Sequence, residues 1–191
     1  QFKKAEKAYR DSLEVATRSG DRKRMAVTEM NIGTVLQITG KSEEAAEHYR
    51  ASLRASRLLG DDAGMVKAAS NLANLLVNLH QLREALYWVE RVDTGARRNQ
   101  MALVMSYNRI VRGMIRHGQG RLDEARKELM EAANELRDLG ASGEAGEALI
   151  DLGMVARTAN DLDGIRHYAS AIENQIGESG ADKQRLWVRF L

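Results

Sequence analysis

The chain has no cysteine and no proline. The first absence excludes a disulfide framework and any zinc site built on thiolates. The second means that no helix is forced to stop by ring sterics. Aromatic residues make up only 5% of the chain and β-branched residues are sparse, whereas Ala, Leu, Glu, Arg and Met dominate. Those are strong helix formers, so the expected class is all-α. The formal net charge of +2 is too small to imply nucleic acid by itself. No run approaches the roughly 18 apolar residues of a membrane span, and no signal-peptide pattern stands at Gln1. A cytoplasmic location is the expectation.

What is present is a period of 40 residues. Gly20, Gly60, Gly140 and Gly180 form one column, broken at Gln100, and Gly40, His80, Gly120 and Asn160 form a second. Small residues recur at Gly33, Ala73, Gly113 and Gly153; Ala5, Ala45, Ala85, Ala125 and Ile165 make a further column. Self-similarity at such a period is the signature of a solenoid. Each unit reads as two helices. Asp21 can cap the first, and an apolar stripe with Gly33 inside it follows. Glycine within a helix costs about 1 kcal/mol against alanine, so its recurrence argues for a close helix–helix approach. Ser42 is read as the cap of the second helix, with Glu43 and Glu44 on the positive end of its dipole and Gly60 closing it.

The units predicted are 21–60, 61–100, 101–140 and 141–180, within one repeat domain over 1–191. Residues 1–20 match only a second helix, which predicts that the array extends before Gln1. Residues 181–191 match the start of a further first helix, which either caps the stack with Trp187, Phe190 and Leu191 or continues it. The stretch 92–100 has lost the Leu-Gly-Asp ending. There the second helix is expected to end near Asp93, with Gly95 as the closing glycine.

These columns resemble tetratricopeptide repeats: Ile32-Gly33, Gly40, Ala45 and Tyr49; Leu72-Ala73 and Ala85; Gly113, Gly120 and Ala125; Leu152-Gly153. The usual period of that family is 34. The longer unit is similar to the long-helix subgroup found in kinesin light chains, LGN-type adaptors, bacterial peptide-pheromone receptors and bacterial multidomain regulators. Six extra residues lengthen the helices by roughly 9 Å per unit. The resemblance implies a right-handed α-solenoid whose concave face, made by first helices, takes a protein or peptide segment.

Catalytic chemistry finds no foothold. His48, His80, His117 and His167 are scattered, without metal-ligand spacing. Gly118-Gln119-Gly120 lacks the strand and the Lys-Ser/Thr of a phosphate loop. Neither a metal nor a cofactor is expected, and catalytic residues are not assigned. Charge is uneven, however. From Thr94 to Leu122 there is no acid, while Arg109, Arg112 and Arg116 share one helix face. One reading pairs this row with Glu144, Glu147 and Asp151 of the next unit, and this is the expected one. The other is an anion site for an acidic peptide or a phosphate. RNA is disfavoured, because aromatics are not interleaved with these arginines.

By the same resemblance, the concave columns carry amides in the N-terminal half, Asn71, Asn74 and Asn78 with Asn31, and apolar residues in the C-terminal half, Ile110, Met114, Ile150 and Met154. The apolar four are either groove floor or ordinary core, since helical spacing alone does not separate the two. The chaperone-tail clamp of this family needs Lys and Asn where Met30 and Thr34 stand, so that activity is not expected. The expected function is a non-catalytic binding scaffold within a larger regulator or adaptor. The alternatives are a signal-peptide-sensing domain of a bacterial regulator and the non-catalytic part of a multidomain enzyme. Oligomeric state is not legible.

Overall fold

A computed structural model describes residues 2–179, with side chains described to Asn174. The expected helix at 181–191, with Trp187, Phe190 and Leu191, and the column member Gly180 lie outside the described residues. Among the described residues there are nine helices and no strand. In order they are α1 (Phe2–Ser19), α2 (Arg22–Ile38), α3 (Ser42–Leu59), α4 (Asp62–Asn78), α5 (Leu82–Arg98), α6 (Ala102–Gly118), α7 (Leu122–Asp138), α8 (Ser142–Thr158) and α9 (Leu162–Ser179). Four first–second pairs follow α1, and the chain is all-α as expected.

Every connection is the same turn. Gly20, Gly40, Gly60, His80, Gln100, Gly120, Gly140 and Asn160 all have positive φ, between 54° and 80°. The next residue donates its N–H back to a carbonyl five positions earlier, as in Asp21 to Ala16, Lys41 to Leu36 and Gln81 to Leu76. These bonds measure 2.8–3.0 Å, and with them comes the bond from the left-handed residue itself, such as Gly40 to Gln37 at 3.1 Å. This is the Schellman closure of a helix. The donor residue then opens the following helix with its own carbonyl, as Asp21 accepts from Met25 at 2.9 Å. One residue therefore ends one helix and begins the next.

That geometry corrects two expectations. The cap of α3 is Lys41, not Ser42, because the cap must directly follow the left-handed Gly40. Where this position holds aspartate, the side chain also caps: Asp21 accepts from the Arg24 N–H at 3.0 Å, and Asp61 from the Gly64 N–H at 2.9 Å. Lysine has no acceptor to offer, and α3 has no side-chain cap. Helix α5 does not end near Asp93 but runs to Arg98, and Gln100 takes the left-handed conformation. Gly95 is an interior residue of α5, and a Cβ there would collide with the Val66 side chain on α4.

The contacts divide the chain into two compact units, one ending at Met101 and the other beginning at Ala102. In the first, consecutive helices pack together and α2 also touches α4. In the second, α6 to α9 pack consecutively and α6 also touches α8. So within each unit the first helices of successive repeats meet. The backbones of second helices α3 and α5, and of α7 and α9, do not approach in this way among the described residues, and α3 and α5 are bridged by the Arg50–Glu84 ion pair. The first unit is filled by Ile32, Leu36, Tyr49, Leu72, Leu76 and Val89, and the second by Ile115, Leu129, Leu136, Leu152 and Ile172, all essentially sealed from solvent.

Two glycines of the small-residue column, Gly33 and Gly113, are approach points. A Cβ on Gly33 would meet Tyr49 Cε1 at 2.7 Å, and one on Gly113 would meet Leu129 Cγ at 2.6 Å. The same register sets Ala73 against the smaller Val89. Gly33→Ala is therefore expected to destabilise by roughly 1–3 kcal/mol despite its better helix propensity. In a Tyr49→Val background the same change should be neutral or stabilising, as read by a double-mutant cycle of urea melts. Additive effects would mean that Tyr49 does not set this spacing. His80→Gly should stabilise by about 1 kcal/mol, because it relieves a left-handed backbone on a side-chain-bearing residue. An unchanged or lowered urea midpoint would refute that reading of the turn.

Candidate functional site

The arginine row lies on α6, and the second helix of its own repeat supplies carboxylates to all three of its arginines. Arg109 Nη1 is 2.6 Å from Glu131 and 3.3 Å from Glu128, and its Nε is 3.2 Å from Glu135. Arg112 Nε is 3.1 Å from Glu128, and Arg116 Nε is 3.7 Å from Glu124. All four carboxylates stand on α7, the second helix of the same repeat. The reason is topological. The turn at Gly120 folds α7 back along the whole length of α6, whereas α8 meets α6 over a shorter stretch. The signal was in the sequence, since Glu124, Glu128, Glu131 and Glu135 fall on one helical face. Glu124 is shared with Arg121, which holds it at 2.6 Å, so four carboxylates face four guanidiniums and the charges of this hairpin face balance.

Asp151 behaves in the opposite way from an arginine-held carboxylate. Burial, and then the neighbouring Glu147 carboxylate, push its pKa up to about 7. A guanidinium partner would have pushed it down. The folded state thus holds a proton on Asp151 that the unfolded chain releases near pH 4. Stability on this account falls as pH rises from about 4 towards 7 and levels off above that. Asp151→Asn should therefore have little effect at pH 4 and should stabilise by roughly 1–3 kcal/mol at pH 8. Thermal melts across that range check it; a gain that did not grow with pH would refute it.

The concave-column residues separate into two sets. Asn71, Asn74 and Asn78 lie on α4 of the first unit; Asn71 and Asn74 are half-buried and Asn78 is exposed. Asn31, also half-buried, is on α2 of that unit. In the second unit, Ile110 is only 3% exposed and belongs to the core with Leu129, Leu152 and Tyr168. It is a core residue and not groove floor, because the α6–α7 hairpin closes over it. Met114 packs against the same core but stays half-buried, as do Ile150 and Met154 on α8. So α6 and α8, which touch, keep Met114, Ile150 and Met154 accessible.

A further feature lies outside the columns picked out in the sequence. Between α3 and α5, over the N-terminal half of α4, lies a groove of about 880 Å³. Tyr87 and Trp88 line it, their rings edge-to-face at 5.1 Å. Arg91 caps the Tyr87 ring at 4.9 Å from its centroid. The available signal was Arg50, Leu53, Arg54 and Arg57 on one face of a second helix, a face the repeat pattern leaves unassigned. Among the described residues no group of His, Asp and Glu is arranged to hold a metal ion. No helix among them is long and apolar enough to cross a membrane.

Comparison with known proteins agrees with this geometry. A family model described as tetratricopeptide repeat matches residues 1–57 and 24–92. No curated protein matches the sequence. Among solved structures, a Rap protein complexed with competence and sporulation factor aligns with a TM-score of 0.88 at 15% identity, over 98% of this chain and 53% of that one. RapI in its apo form aligns with a TM-score of 0.77 at 15% identity, over 93% and 64%. BtubC (BKLC) from P. vanneervenii aligns with a TM-score of 0.72 at 19% identity, over 94% and 75%. The chain thus spans between half and two thirds of the length of the two Rap proteins.

Proposed function

The chain is a tetratricopeptide repeat protein, and from that premise we propose that it is a non-catalytic scaffold holding a peptide or protein segment on its first-helix faces. One observation carries the proposal. In the second unit the adjacent helices α6 and α8 keep Met114, Ile150 and Met154 half-buried, although the core beneath them is already filled. Apolar side chains left accessible on neighbouring helices suit a partner's large apolar anchors. Methionine, flexible and polarizable, adapts to several related partners. In the first unit, Asn71, Asn74 and Asn78 offer amides that could hold an extended backbone.

The setting proposed is a larger regulator or adaptor. The specific support for a sensory version is the likeness to a Rap protein whose structure holds competence and sporulation factor. In that version this chain would bind a signalling segment and pass on the change through its repeats.

The test begins with peptides selected from a random displayed library against the wild-type protein. Met154→Lys and Met114→Lys should each melt within a few degrees of wild type by circular dichroism, and each should weaken the selected peptides about tenfold or more by calorimetry. Unfolding of both variants would return these residues to the core, since a buried unpaired charge is costly. Peptides bound equally well by both folded variants would place recognition elsewhere.

A further inference from the structure

The groove between α3 and α5 differs from the first-helix faces in both position and chemistry. None of Asn71, Asn74 and Asn78 lines it. Its walls come from second helices, whose backbones stand apart and which are bridged at one end by the Arg50–Glu84 ion pair, leaving the space between them open beyond that bridge. Its floor is apolar: Leu53 from α3 and Met65, Val66 and Ala69 from α4. At Gly95 the α5 backbone reaches the Val66 side chain so closely that a Cβ would not fit. That contact closes the groove from below.

Charge is where this groove stands out. Its lining holds Arg50, Arg54, Arg57, Arg91 and Arg98, against the carboxylates of Asp62 and Glu90. The excess is three positive charges. Two of the arginines are engaged at the ends: Arg50 with Glu84 at 3.2 Å, and Arg98 with Asp62 at 3.9 Å. Arg54, Arg57 and Arg91 pair with no carboxylate among the described residues, and Arg91 lies over the Tyr87 ring instead. Tyr87 itself is 49% exposed. This contrasts with the α6 arginine row, where every guanidinium has a carboxylate nearby.

The repeat supplies its own control. Forty residues on from Arg54 and again from there stand Thr94 and Asn134; from Arg91, Glu131 and Ala171; from Tyr87, Lys127 and His167. The fold places no demand for arginine or tyrosine at these three columns, whereas the column of Arg57 repeats arginine at Arg97 and Arg137. The gathering of Arg54, Arg91 and Tyr87 at one inter-repeat groove answers to something other than helix packing.

We propose that the α3–α5 groove docks an acidic peptide segment that carries a large apolar side chain. The carboxylates would meet Arg54, Arg57 and Arg91, and the apolar anchor would lie between Tyr87, Trp88 and the Leu53–Met65 floor. A planar guanidinium binds a carboxylate bidentately, and an aromatic wall gives large contact area at low entropic cost. The volume is within the range of sites that enclose a compact ligand or a few side chains. Single-stranded nucleic acid is the less favoured occupant. An apolar floor is of little use to a sugar–phosphate backbone.

The probe is a short fluorescein-labelled peptide of glutamate and leucine with one central tryptophan, read by fluorescence anisotropy. It should bind wild type with an affinity that falls as salt rises. Replacing its glutamates by glutamine, or its tryptophan and leucines by alanine, should each weaken it about tenfold or more. Arg54→Glu combined with Arg91→Glu should do the same while leaving the melting curve unchanged, since both side chains are exposed. Met154→Lys should have no effect. The proposal is overturned if the acidic peptide does not bind, if the glutamine peptide or the doubly reversed protein binds equally well, or if labelled oligouridylate binds more tightly than the peptide. Loss of binding in Met154→Lys but not in the arginine variant would overturn it in favour of the first-helix face.

Discussion

The interaction on which this structure depends is the hydrogen bond that closes each helix from the residue opening the next. The donor sits one position after a left-handed residue, and the bond spans five residues backwards. Because the two roles fall on one residue, the link between helices has no slack. Within each unit the chain reversals have the same length, so long helices fold back alongside one another without a loop to set their angle. The turn recurs every 20 residues, half the period of the side-chain pattern. The backbone thus has a shorter repeat than the sequence, and the 40-residue unit arises only because first and second helices bury different faces.

Helix spacing comes next in the hierarchy and is set by pairs of residues. Gly33 admits the Tyr49 ring and Gly113 admits the Leu129 side chain. At the equivalent positions of the next unit stand alanine, Ala73, and the smaller Val89. The Tyr49 hydroxyl, now buried, is satisfied by donating to the Gln37 side-chain oxygen at 2.8 Å. A large ring in the core is thus matched both by a missing Cβ and by a placed acceptor. Gly95 follows the same logic on the other face of α5, against Val66. Read as a turn glycine in the sequence, it is a packing glycine in the fold. The composition of 92–100 looks like a helix end, and only the spatial neighbour explains why a helix continues through it.

The legibility of this sequence follows from that hierarchy. Class, period and helix pairing are readable because they recur. A turn repeated eight times leaves its mark even though His80, Gln100 and Asn160 break the glycine column. Single events are not readable. The cap of α3 falls one residue before Ser42 because the turn, not side-chain preference, chooses the cap. The arginine row is visible, but its partner depends on whether α7 or α8 lies along it, and two acidic faces are available. Ile110 and Met114 share a helix stripe and a sequence character; one is sealed and the other is not, because accessibility depends on what the neighbouring hairpin covers.

In a repeat protein the columns that hold the fold and the columns free to bind can be told apart by variation within one chain. Positions 33, 73, 113 and 153 hold only glycine or alanine, as close packing requires. Positions 54, 94 and 134 hold arginine, threonine and asparagine, and positions 87, 127 and 167 hold tyrosine, lysine and histidine. The fold tolerates each of these, so their identity in a given repeat carries information the fold does not need. Helix α6 is a different case. Arg109, Arg112 and Arg116 also depart from their columns, but the departure is answered by Glu124, Glu128, Glu131 and Glu135 across the hairpin. A departure matched within the repeat contributes to structure. Arg54, Arg91 and Tyr87 depart from their columns in two successive repeats, and neither arginine pairs with a carboxylate among the described residues; that difference distinguishes a surface kept for a partner from one already used.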